Sequence, residues 1–164
     1  MSKAPADPST TPAPVAPRLW WRVKIAAGAA LIALLFGHFV FDLPAADASF
    51  PREVAQLLAV AGGLFTIWHH RILAMAVEEG CPTRLVNTGG CYPFIRHPMY
   101  LGDLVLYLGL ALLVPALVTA VLAAVGAVAL MLQARAEDRY LARHYGDAFD
   151  RWRRNSGLLL PGLG

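Results

Sequence analysis

ALVTAVLAAVGAVALML, residues 116–132, carries no charge, and its one polar group is the hydroxyl of Thr119. A helix lying on a soluble core shows polar residues on its solvent side every three to four positions. Nothing of that kind recurs here. With 164 residues in all, the chain holds too little other protein to bury such a helix on every side, so the stretch belongs in lipid. A span needs about 20 apolar residues, within a range of roughly 17 to 25, and this one qualifies on its own.

Three more apolar runs lie upstream. Leu19–Phe41 is broken only by Arg22, Lys24 and His38, Val54–Trp68 has no charge, and Met99–Val114 has only Asp103, with Pro115 separating it from the quoted stretch. The second and third reach span length with their flanks, giving expected spans at 19–41, 53–72, 98–114 and 116–134. Hydrophobic residues make up 57% of the chain and charged ones 15%, against about a quarter charged in ordinary soluble domains. The expected fold is all-α: an integral membrane bundle of four transmembrane helices with a cytoplasmic C-terminal helical extension over 135–164. Residues 18–164 read as one domain. Residues 1–17, a Pro-, Ala- and Thr-rich tract without hydrophobic periodicity, read as a disordered tail. Trp20–Phe41 starts too far from the amino terminus for a cleavable signal and reads as a retained helix.

With four spans, the amino terminus, the loop 71–98 and the carboxyl tail share one side. Thirteen of the fourteen Lys and Arg residues fall there, and only Arg52 falls on the other side. That asymmetry places both termini in the cytoplasm of a multi-pass protein, expected in a bacterial inner membrane. The net charge of +3 is then an orientation signal and an attraction to anionic head groups. It collects on no single face suited to nucleic acid. Cys81 and Cys91 lie on the reducing side and read as structural thiols. No metal site is expected.

Two polar constellations interrupt this apolar plan. In CYPFIRHPMYLGD, 91–103, Pro98 suits a first helical turn, so a helix begins behind Arg96 and His97 and offers a site for a carboxylate or phosphate. Gly102 leaves room for a ligand or for another helix to approach its backbone. Tyr100, Asp103 and Tyr107 share a face, and Asp103 is either functional or paired with Arg96 or Arg71. Gln133, Glu137, Tyr140 and His144 form a stripe on the helix leaving the last span, which either faces the first constellation or is solvated and laced with ion pairs such as Arg135 with Asp138. Gly146 ends that helix. Beyond it, Phe149 and Trp152, set among Arg151, Arg153 and Arg154, read as an amphipathic segment on the lipid surface.

TGGCYPFIRHPMYLG, 88–102, and RAEDRYLARHYGDAFDRWRRNSGLLLPGL, 135–163, resemble the signature segments of the integral membrane methyltransferases that include isoprenylcysteine carboxyl methyltransferases and phospholipid N-methyltransferases. The resemblance covers roughly 50–164. It departs from the family in having Glu137–Asp138 where a Glu-Glu pair is usual, and Gly90 as an extra residue before Cys91. It implies an enzyme dependent on S-adenosylmethionine that methylates a lipid or other hydrophobic small-molecule acceptor, such as an isoprenylcysteine carboxylate or a phospholipid amine. Tyr92, His97, Pro98, Tyr100, Leu101, Gly102, Glu137 and Asp138 are the implied cofactor-binding residues. His97, Arg96 and helix N–H groups suit the cofactor's carboxylate, Glu137 and Asp138 its amine and ribose, and the tyrosines its adenine or sulfonium. Arg96 is the implied catalytic residue, holding the acceptor in line, unless it only anchors the helix at the head groups. RHPMYLGD and HYGDAFDRW also resemble the terminal portion of the much larger NADPH-dependent sterol reductases, which keeps a membrane reductase as the alternative.

Overall fold

The structure is a computed structural model and describes residues 18–42, 50–78 and 89–163. The 1–17 tract, Cys81, Arg84 and the side chain of His144 lie outside them. The described residues form five helices: α1 (Arg18–Phe41), α2 (Arg52–Glu78), α3 (Pro98–Leu113), α4 (Leu117–Tyr145) and α5 (Asp147–Asn155). The all-helical expectation holds among them, with two isolated β-bridges as the only extended pairing. Among the described residues three helices are long and apolar enough by themselves to cross a membrane: Leu19–Phe41, Arg52–Met75 and Leu117–Arg143. With 16 residues, α3 is about 24 Å long, short of a hydrocarbon core of about 30 Å.

Large apolar side chains face outward along the helices, and the interior mixes apolar residues such as Leu31 and Leu130 with polar ones. Leu57, Leu64, Phe36 and Leu117 are exposed, while Lys24, His69, Arg96, His97, Asp103 and Gln133 are buried. Apolar side chains facing lipid gain nothing from packing against each other, so helices here associate through small residues and internal polar contacts. The interface of α2 with α3 shows this. A Cβ added to Gly62 would meet the backbone of Leu106 and Gly102, and one added to Gly109 would meet the backbone of Ala59 and Ala55. Of the two uses the sequence leaves for Gly102, the structure takes the second: a Cβ there would run into Thr66 and the backbone of α2.

α1 packs along α4, and α3 touches both. Tyr107 of α3 fills the space left by Gly28 of α1 and Gly126 of α4, and its hydroxyl donates to the Lys24 carbonyl at 2.6 Å. Pro115 turns the chain between α3 and α4. There the buried Thr119 hydroxyl accepts from Ala116 N–H at 3.1 Å and donates to the Val114 carbonyl at 2.7 Å. α1 and α2 have no close backbone approach among the described residues; they meet where the Arg52 guanidinium lies 4.6 Å from the centre of the Phe39 ring, and elsewhere a lateral opening lies between them.

α4 runs without a break past the expected span end at 134, and Gly146 (φ 50°) stops it. α5 departs from the lipid-surface reading. Phe149 and Trp152 are buried, and the Trp152 indole donates to the Tyr92 carbonyl at 3.1 Å. Its apolar face is covered by the segment leading into α3. The tail then lies beside that segment: Gly157 N–H donates to the Phe94 carbonyl at 2.9 Å, while Arg96 and His97 N–H donate to the Gly157 and Leu158 carbonyls at 2.8 and 3.1 Å.

Gly109→Ala should destabilise the protein by about 1–3 kcal/mol through overpacking. Gly63→Ala, whose Cβ meets nothing within 4 Å, should be neutral or gain up to about 1 kcal/mol of helix stability. Thermal unfolding in detergent compares the two; equal effects would contradict the close α2–α3 approach.

Candidate active site

Arg96 and His97 stand immediately before α3 because Pro98, at its first position, lacks an N–H and starts the helix there. Glu137 and Asp138 lie four and five residues beyond Gln133 on α4. The hairpin at Pro115 returns α4 to the level where α3 began, and the two sets meet. Arg96 Nε donates to Asp138 Oδ2 at 3.0 Å, and His97 Nε2 lies 2.8 Å from Asp138 Oδ1. His97 Nδ1 is 3.4 Å from Glu137 Oε2. Tyr100 O–H donates to Glu137 Oε1 at 2.6 Å, and Gln133 Nε2 donates to the same oxygen at 2.7 Å. The His97 and Tyr100 rings stack, 5.4 Å apart and 3° from parallel.

The network extends to α1. Trp21 N–H, one of the donors that a first helical turn leaves unpaired, donates to Gln133 Oε1 at 3.1 Å. Three residues on, Lys24 Nζ pairs with Asp103 at 2.8 Å and sits 4.5 Å from the centre of the Tyr100 ring. Thr66 of α2 donates to the second Asp103 oxygen at 3.1 Å. The sequence offered Arg96 or Arg71 as the ion-pair partner of Asp103; the partner is Lys24. It was missed because a cation near the start of a span was read only as an orientation signal. Likewise the proposed Arg135–Asp138 pair does not form, since Asp138 is held from the other side by Arg96 and His97.

The Arg96 side chain is 1% exposed, and besides Asp138 it donates to the Arg153 and Ser156 carbonyls. The guanidinium clasps the end of α5 and does not line the cleft. The backbone N–H groups of Arg96 and His97 are taken by the tail.

A cleft of about 800 Å³ opens beside this cage, within the usual range for small-molecule sites of about 300–1,000 Å³. Tyr100, Asp103, Lys24 and Glu137 line its polar end, and Ile25, Gly28, Ala29, Ile32 and Leu106 its apolar side. Of the residues the resemblance implied, Tyr100 and Glu137 line it. His97 and Asp138 stand behind them, holding Glu137 and the clasp. Pro98 is buried as the helix start, Leu101 is half-buried, and Gly102 is spent on α2. Tyr92 is buried, its hydroxyl reaching the His69 carbonyl at 3.4 Å. Burial and then the charge of Glu137 push the Tyr92 phenol up, so it stays a neutral donor.

His69, which the sequence did not single out, positions the segment ahead of α3. Fully buried, its Nδ1 faces the Phe65 carbonyl at 3.0 Å and its Nε2 accepts Cys91 N–H at 3.1 Å. The extra glycine, Gly90, has φ 68° and comes so close to His69 that a Cβ would lie 2.9 Å from Nε2. Among the described residues, no three His, Cys, Asp or Glu side chains are grouped to hold a metal.

The sequence profile of the phospholipid methyltransferase family matches residues 52–148, more than half of the chain. The chain belongs to that family. It is similar to the cobalt-zinc-cadmium resistance protein CzcN of Cupriavidus metallidurans, 32% identical over 146 residues, covering 87% of this chain and 62% of the relative. It is also similar to the nickel-cobalt-cadmium resistance protein NccN of Alcaligenes xylosoxydans, 31% identical over 145 residues, covering 87% and 63%. The chain thus spans less than two thirds of the length of each. No solved structure matches it.

Two outcomes follow from the cage. Asp138→Ala leaves Arg96 buried without its counter-charge and should cost about 3–5 kcal/mol; limited proteolysis should then cut after Arg151 or Arg153, and an intact tail would refute the clasp. Burial pulls the His97 pKa down, but hydrogen bonds and charges from Asp138 and Glu137 outweigh it and leave the net value raised. The stabilisation from protonated His97 is fully present below about pH 6.5 and lost as pH rises through the higher folded-state value. The wild-type melting temperature should fall over that rise, and that of His97→Gln should change less.

Proposed function

We propose that this member of the phospholipid methyltransferase family transfers a methyl group from S-adenosylmethionine to a lipid or lipid-linked acceptor at the cytoplasmic face of a membrane. Its four helices α1 to α4 would all cross the bilayer, α3 with the help of its flanks, and both termini would be cytoplasmic, as the one-sided distribution of cations favours. The observation that carries the reading is the convergence of Tyr100 and Glu137, from two segments far apart in sequence and with His97 behind them, at the polar end of an otherwise apolar cleft.

The residues present fit the cofactor's chemistry. Glu137, with 24% of its side chain exposed, offers a carboxylate to an ammonium, and His97 behind it spends its two ring nitrogens on holding Asp138 and Glu137. The Tyr100 ring already faces one cation, Lys24, and an aromatic face of this kind also suits a sulfonium. When bound, the cofactor supplies an electrophilic methyl group that needs no protein nucleophile. The protein's part is placement: alignment of two reactants is worth roughly 7–11 kcal/mol of barrier. His97 fixes Glu137, Arg96 and Asp138 fix His97, and the tail bridge fixes the backbone of both Arg96 and His97. The acceptor's tail fits the apolar side of the cleft and has access from the lipid through the opening between α1 and α2.

The alternative, an NADPH-dependent reductase, needs cations for a pyrophosphate and a 2′-phosphate. Among the described residues Lys24 is the one Lys or Arg lining the cleft, and it is already paired with Asp103. A role in metal resistance, suggested by the names of the two relatives, is compatible with methyl transfer if the modified molecule is a membrane component.

Isothermal titration of the detergent-purified protein with S-adenosylhomocysteine and with NADPH decides between them. The first should bind and the second should not, and Glu137→Gln should weaken binding about ten- to hundredfold, the worth of one charge-assisted hydrogen bond. Binding of NADPH alone would reverse the assignment.

A further inference from the structure

A second recess, of about 460 Å³, lies on α4 away from the cleft, lined by Arg135, Asp138, Arg139, Ala142 and Arg143 together with Arg153 of α5. Glu137, Tyr140 and Leu141 line the cleft, and at about 100° per residue the two sets occupy opposite faces of the helix. Arg135, Arg139 and Arg143 follow one another at intervals of four, rising about 12 Å along the axis. All three, and Arg153, are exposed.

Their charges are not balanced from within. Among the described residues none of these four guanidiniums takes part in an ion pair; the salt bridges use Lys24, Arg96 and His97. The single acid of the recess, Asp138, has 11% of its side chain exposed and spends its two oxygens inward, on Arg96 at 3.0 Å and His97 at 2.8 Å. Asp147 and Asp150 of α5 do not line it. Four like charges around one recess repel each other, and an anion relieves that repulsion. Forked guanidinium donors match phosphate oxygens in pairs.

The position along α4 indicates where the phosphate comes from. The helix has no charge from Leu117 to Ala134, and Arg135 is its first cation. The recess therefore begins where hydrocarbon gives way to head groups, the level at which basic pockets hold anionic lipids. We propose that this recess binds the phosphate of an anionic phospholipid from the adjacent leaflet, at a site separate from the methyl-transfer cleft. The proposal rests on α4 crossing the bilayer and not on the activity. A lipid held there bridges α4 to α5, next to the Arg153 carbonyl that receives Arg96 at 3.3 Å.

The full chain, purified in detergent with an equimolar mixture of phosphatidylglycerol and phosphatidylcholine, is assayed by native mass spectrometry. Wild type should retain phosphatidylglycerol at least about tenfold over phosphatidylcholine. Arg139→Gln with Arg143→Gln should bring the ratio near one, while Arg154→Gln, outside the recess, should leave it unchanged. Arg139→Lys with Arg143→Lys keeps the charge, protects against loss of fold, and should give an intermediate ratio because the fork is gone. Equal retention of the two lipids by wild type would overturn the proposal, as would an unchanged preference in the folded Gln variant. Inorganic phosphate should leave the melting temperature unchanged while phosphatidylglycerol raises it; an equal rise with phosphate would make the ligand a free anion and overturn the lipid assignment.

Discussion

The buried contact of Arg96 with Asp138 is the constraint on which the site depends. One residue precedes α3 and the other lies deep in α4, so their pairing sets how far α4 must return past the Pro115 turn. The same guanidinium reaches the carbonyls of Arg153 and Ser156, which brings α5 and the tail into the same joint. Asp138 in turn holds His97, and His97 holds Glu137. A buried ion pair repays its desolvation only when every remaining lone pair and proton is satisfied. Here Asp138 has a partner at each oxygen, and the Arg96 side chain has three acceptors from two directions. What the pair secures is register: an α4 shifted by one residue would turn Glu137 by about 100° away from Tyr100.

A lipid-facing outside makes such a joint possible in a chain of this size. Lipid covers many of the large apolar side chains, which leaves room inside for glycine contacts and polar groups beside the buried Leu31, Leu110 and Leu130. Gly62, Gly102 and Gly109 let the backbones of α2 and α3 approach closely. Tyr107 fills the space left by Gly28 of α1 and Gly126 of α4, and the cleft lies beside Lys24, Tyr100 and Glu137. Lys24 lies outside the residues matched by the family profile, so the cation at the head of the cleft is supplied by the part of the chain that the profile leaves unmatched.

Much of this was legible beforehand because lipid imposes few solutions. An uncharged run such as 116–132 has to be a helix, since its backbone finds no other hydrogen-bond partners in hydrocarbon, and Pro98 and Gly146 mark a start and a stop that the structure keeps. The encounter of the Arg96–His97 segment with Glu137 and Asp138 also followed from a hairpin of two helices. Partner choice did not. Asp103 found Lys24, five residues from the start of another span's apolar run at Leu19, and nothing in spacing relates residues 79 positions apart. Arg96 was expected to hold an acceptor or to anchor the helix, and it is enclosed with 1% of its side chain exposed. The amphipathic pattern of α5 revealed an apolar face but not its cover: Trp152 turned to Tyr92 and the protein, where lipid had been expected.

The central claim, that the segment entering α3 and the Glu137–Asp138 pair of α4 enclose one ligand, is tested most directly by ultraviolet cross-linking. S-adenosylmethionine with a labelled methyl group is irradiated with the membrane-embedded protein, and the labelled peptides are mapped by mass spectrometry. Label in peptides from both 92–103 and 133–141, suppressed by excess S-adenosylhomocysteine, is the predicted result. Label confined to one of them, or found only on the arginine face of α4, would contradict the account.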